Sequence, residues 1–128
     1  MNFSEKSPPR LFVVGNAEKI DMADCGTVSL ARDEQVTFVT EAGAEYDVAR
    51  KDWGFYATPS LNGRLESFGL RGVLIRNTIT GRYFVLLVER GHEDSFDLYM
   101  RRESLEVIIW LDSTATLDGL RPQRRSKD

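Results

Sequence analysis

Apolar and polar side chains alternate most strictly from Asp52 to Leu65, in the segment DWGFYATPSLNGRL. Asp52, Gly54, Tyr56, Thr58, Ser60, Asn62 and Arg64 occupy one parity, and mostly apolar residues, Trp53 and Phe55 among them, occupy the other. In an extended chain successive side chains point to opposite faces, so the pattern predicts one wet and one buried side. Trp53 and Phe55 are expected in the core. Pro59 has no N–H for a ladder, which confines the second half to an edge strand, a bulge or an ordered loop. Asn62-Gly63 is a turn signal.

Further strands are expected at Leu11 to Val14, Thr27 to Ala31, Gln35 to Thr40, Glu45 to Lys51, Leu70 to Arg76, Arg82 to Arg90 and Leu105 to Leu111. The run Tyr83 to Val88 is apolar on both parities and is expected at the centre of its sheet. Between Glu93 and Glu103 the period becomes helical: Phe96, Tyr99 and Met100 share a face, with acids at the start and Arg101 and Arg102 at the end. The expectation is a mainly β (α+β by strict count) domain spanning 11–112, a compact antiparallel sheet or partly closed barrel of six to eight strands with one late helix. A cupin-like jelly roll is the alternative. Residues 1–10, with paired prolines, are expected to form a flexible arm, and 113–128 a mobile polar tail.

Composition narrows the chemistry. The chain has 128 residues, 41% hydrophobic and 29% charged, with a formal net charge of −3 and a pI near 5.2. No basic face recommends nucleic acid as a partner. No apolar run approaches the roughly 20 residues of a membrane span. The start, MNFSEKSPPR, lacks the apolar run of a secretion signal, and Cys25 has no second cysteine to pair with, so a cytoplasmic location is expected. One histidine and one cysteine are too few for a zinc or non-haem iron site. The glycines form neither a phosphate-binding loop nor a dinucleotide fingerprint. No metal or cofactor is expected.

Candidate site residues follow from the polar row. Tyr56, Thr58, Ser60, Asn62 and Arg64 offer phenol, hydroxyls, amide and guanidinium to a small polar or anionic ligand. Arg71 or Arg76 is expected to join Arg64, although opposite parities keep Arg71 and Arg76 on different faces. For catalysis the candidates are His92, Tyr56 and Asp52. Asp52 lies about 13 Å from Tyr56 along an extended strand, too far for a direct dyad.

The words DWGFYATPSLNGRL and GLRGVLIRN, within Glu45 to Asp112, resemble a small family of uncharacterised bacterial proteins, some associated with genes for surface-sugar assembly. The resemblance implies no particular activity, cofactor or catalytic residue. The all-β pattern is also similar to cupin-type barrels, without their metal motif. Together these readings favour an accessory binding module for a sugar or sugar-phosphate ligand. The alternatives are a metal-independent sugar epimerase or isomerase using His92 or Tyr56, and a protein-interaction subunit, with a homodimer among its expected forms.

Overall fold

The computed structural model describes residues 1–122. Its strands form three antiparallel groups. β1 (Asn2–Val14) and β2 (Ile20–Ser29) make a two-stranded ribbon. β3 (Gln35–Val39), β4 (Glu45–Lys51) and β5 (Gly54–Ala57) make a meander in that order. β6 (Leu70–Asn77), β7 (Tyr83–Glu89) and β8 (Leu105–Trp110) pair in the order β7-β6-β8. Three helices, α1 (Arg64–Ser67), α2 (Glu93–Arg102) and α3 (Thr114–Gly119), complete the described chain. The mainly β expectation holds, with open sheets and no closed barrel in place of the barrel or jelly roll.

The β6–β7 hairpin closes on local chemistry. The Asn77 side-chain carbonyl accepts the N–H groups of Ile79 and Thr80, and Gly81 adopts φ +75°, a conformation that costs glycine little. The resulting register places Val73 opposite Leu86 and Ile75 opposite Phe84. Val73, Ile75 and Val88 are buried on the face where α2 contributes Met100 and Phe96. Phe96 meets Trp110 edge-on, with ring centroids 5.7 Å apart. Burial of each aliphatic side chain contributes roughly 1.5–3 kcal/mol, so this helix-on-sheet layer is the main core.

The other face of the same sheet is covered at one end only. Leu65 of α1 packs with Leu70 and Ala44 there. Gly72 permits that approach, because a Cβ at this position would stand 3.0 Å from Leu61. Towards the far end Leu74, Tyr83 and Val85 share this face by register, and Tyr83 and Val85 are exposed. Among the described residues no helix is placed over them.

Several expectations need correction. Residues 2–10 belong to β1: Phe3 pairs with Val28 and Glu5 with Gly26. The prolines fall inside a bulge between Glu5 and Arg10, where their missing N–H groups break no ladder. β2 starts at Ile20, well before Thr27. The central strand is β6, and β7 is an edge; the β6 arginines are accommodated by carboxylates, Arg71 by Asp112 and Glu93 and Arg76 by Glu106. Trp53 and Phe55 are 66% and 68% exposed, since they flank the tight β4–β5 turn. The expected tail contains α3, capped by the Ser113 hydroxyl; residues 123–128 lie outside the described residues. The single late helix is joined by α1 and α3.

Candidate functional site

The polar row does not form one surface. β5 ends at Ala57, and the following residues turn into α1. Tyr56 pairs with Ala49, which puts its exposed phenol on the same face as Asp47 and Thr37. Asp47 is buried and accepts a 2.6 Å hydrogen bond from the Thr37 hydroxyl, with the Arg64 guanidinium 3.6 Å away. Its backbone carbonyl accepts the Thr58 N–H, while the buried Thr58 hydroxyl has no partner.

Beyond Pro59 the polar side chains serve the turn itself. The Ser60 hydroxyl accepts the Arg64 N–H at 2.8 Å. Asn62 donates to the Thr114 hydroxyl at 3.0 Å, fastening the turn to α3. Arg64 also lies over the Phe68 ring. Of the five polar-row residues among the seven expected to bind ligand, Ser60, Asn62 and Arg64 are engaged by the turn, whereas the buried Thr58 hydroxyl is unpartnered and the Tyr56 side chain is exposed.

The arginines do not converge. Arg71 lies over Trp110 at 4.0 Å, donates to Asp112 at 2.6 Å and reaches Glu93 at 3.3 Å. The bond to Asp112, more than that to Glu93, raises its pKa further above the usual value. It therefore ties β6 to α2 and to the chain beyond β8. Arg76 pairs with Glu106 at 3.4 Å on the opposite face. Neither meets Arg64.

His92 stands at the entry to α2, and its Nε2 is 3.0 Å from Glu89, which also accepts the Thr40 hydroxyl. A hollow of about 380 Å3 beside it is walled by Leu86, Leu87, Val88, Phe96 and Tyr99, among others. Neither Tyr56 nor Asp52 lies in that wall. The exposed Cys25 sits on β2, away from the histidine's own element. Among the described residues no cluster of three or more His, Cys, Asp or Glu is placed to hold a metal ion. Among the described residues no helix is long and apolar enough to cross a membrane.

The ribbon carries exposed apolar side chains on both faces, Leu11 and Val13 on one and a longer row on the other. Register sets Phe3 against Val28, Phe12 against Met22 and Val14 against Ile20, all on one face. Five of these six side chains are more than a third exposed. Between them Lys6 and Arg10 converge on Asp24, and the Lys6 bond holds the Asp24 carboxyl below the usual range. The ribbon's tip is fixed to the body: Glu103, only 8% exposed, accepts the N–H groups of Asn16 and Ala17. Its base is fixed too, by the amino terminus on Glu34.

Sequence reasoning missed this surface. The available signal was the alternation of Phe12 and Val14, then Ile20 and Met22, around Gly15-Asn16. No family model, curated protein or solved structure matches the chain.

Proposed function

We propose that this chain is a protein-interaction subunit whose binding element is the β1–β2 ribbon. The observation that carries the reading is a two-stranded ribbon that bears exposed apolar side chains on either side of a charged centre and, among the described residues, pairs with no third strand. A two-stranded hairpin alone is marginal in water, and needs a third strand or a packed layer to be independently stable. Here the packed layer is missing while the apolar side chains to build one are present. Clusters of exposed large hydrophobic residues mark association surfaces more often than scattered singles do.

The test is a ribbon made polar by Phe12→Ser and Met22→Ser. The body is expected to keep its near-ultraviolet dichroism from Trp110, while the chain loses association with protein. Loss of the Trp110 signal would overturn the reading, because the ribbon would then be part of the chain's own core.

A second reading is a small polar ligand, sugar-derived by the notion of the resemblance, at Tyr56 and Thr58. It is favoured by the unpartnered Thr58 hydroxyl, since a buried polar group left unsatisfied costs about 1–3 kcal/mol. Titration calorimetry with sugar phosphates should then show heat that Tyr56→Phe with Thr58→Val removes. No heat from the wild-type chain would refute it.

A further inference from the structure

We infer that the occupant of the ribbon is a second copy of this chain, each ribbon lying over the partner's open sheet face at Leu74, Tyr83 and Val85. This rests on the interaction reading above and names its partner.

Area is the first argument. A folded chain of 14.6 kDa exposes about 6,900 Å2, whereas this one exposes 9465 Å2. An allowance of about 1,000 Å2 for the six terminal residues outside the described set still leaves an excess of about 1,500 Å2 per chain. Two copies covering that excess would bury about 3,000 Å2, inside the range of roughly 2,000–5,000 Å2 for obligate homodimers.

The second argument is that the chain holds two unfinished layers and cannot join them within itself. The ribbon has an apolar face without a sheet beneath it. On the face opposite α2 the β7-β6-β8 sheet leaves Leu74, Tyr83 and Val85 with no layer over them among the described residues, beside the Arg76–Glu106 pair, whose guanidinium stands 6.0 Å from the Tyr83 ring centre. Domains close such faces by stacking layers. Yet Glu103 pins the ribbon's tip at the C-terminal end of α2, and Arg102 pairs with Glu18 in the same turn. The ribbon is therefore held on the helix side, away from its own open face. A copy related by a two-fold axis can offer each ribbon the missing sheet, and the exchange satisfies both surfaces at once.

The edge of β7 adds to this. Tyr83, Phe84 and Val85 are all exposed on an edge strand and carry no charge between Arg82 and Glu89. Edges left open in solution are normally guarded by charge, proline or a bulge. This one has none across its first residues, as expected of an edge that assembly covers.

The experiment is complementation followed by sedimentation equilibrium. The wild-type chain should sediment as a dimer. Met22→Asp on the ribbon and Val85→Asp on the sheet should each weaken dimerisation at least about 100-fold, because each leaves a carboxylate unpaired against apolar surface. Both sites are well exposed in the single chain, and circular dichroism checks that each variant is folded. An equimolar mixture of the two variants should regain dimers, since one of its two ribbon-on-sheet contacts carries no substitution.

A mixture that stays monomeric, or a Val85→Asp chain that stays dimeric, overturns the arrangement. A wild-type chain monomeric at 100 μM overturns the second copy as occupant; the Phe12→Ser, Met22→Ser test then decides separately whether the interaction reading survives. Should either aspartate variant fail to fold, a nitroxide on Cys25 of the otherwise unaltered chain replaces it. A dipolar coupling between two labels that vanishes on dilution supports the pair, and its absence at 100 μM refutes it.

Discussion

Replacing Glu103 by alanine should release the ribbon's tip from the body. The Glu103 carboxylate accepts Asn16 N–H at 3.0 and 3.1 Å and Ala17 N–H at 3.2 Å. Hydrogen bonds to a charged acceptor are worth about 1.5–3 kcal/mol each. The freed turn amides can reach water, so the loss should be near the lower end, about 2 kcal/mol for the clamp as a whole. At 1.36 kcal/mol per factor of ten, that is about a 30-fold change in the opening equilibrium of the turn. Amide hydrogen exchange reads it directly: Asn16 and Ala17 should exchange about 30-fold faster, while Val73 in the central strand should not change. Glu103→Gln retains one acceptor oxygen and should fall between. Unchanged exchange at Asn16 and Ala17 would refute the clamp. Equal acceleration at Val73 would show that Glu103 supports the whole fold.

Three further outcomes are expected. Val73→Ala, at a position with no exposure, should cost about 2 kcal/mol in urea unfolding; a loss below about 0.5 kcal/mol would place the main core elsewhere. Asp24, Glu34 and Glu93 are all held below the usual carboxylate range, by Lys6, by the amino terminus, and by backbone N–H groups of Glu93 and Gly91 with Arg71 assisting. A lowered folded pKa adds stability that is complete above the ordinary range and is lost as pH falls through the folded value. The urea midpoint should therefore drop as pH falls below about 4, and Asp24→Asn with Glu34→Gln and Glu93→Gln should flatten the drop; equal wild-type midpoints at pH 6 and 3 would contradict it. Arg71→Ala removes the guanidinium from Trp110, Asp112 and Glu93 together and should red-shift Trp110 emission with a loss of about 1–3 kcal/mol; unaltered emission and stability would contradict the link between β6, β8 and α2.

Much of the β-rich architecture was legible because alternation and turn chemistry agree locally. Thr78 to Gly81 and Glu41 to Ala44 lie between strands that the alternation predicts, and turns close there. Longer-range placement was not legible. The apolar run Tyr83 to Val88 suggests a central strand, yet β6 takes the centre, pairing with β7 on one edge and β8 on the other. Paired prolines suggest a loose arm, yet a bulge absorbs them inside β1. At the candidate site, alternation identified which residues were polar but not what they touch: Ser60 accepts the Arg64 N–H, Asn62 fastens the turn to α3 and Arg64 reaches Asp47, leaving Tyr56 and Thr58. The exposure of Trp53 and Phe55 has the same origin, since parity assigns a face and says nothing of whether another layer covers it.

The most direct test of the ribbon as an association surface is amide exchange along β1 and β2 at two protein concentrations. At 100 μM, Phe12, Met22 and Val28 should be protected, and at 100 nM their protection should fall while that of Val73 persists. Protection that is equal at both concentrations and matches Val73 would show that the ribbon is stable within the single chain, contradicting the account.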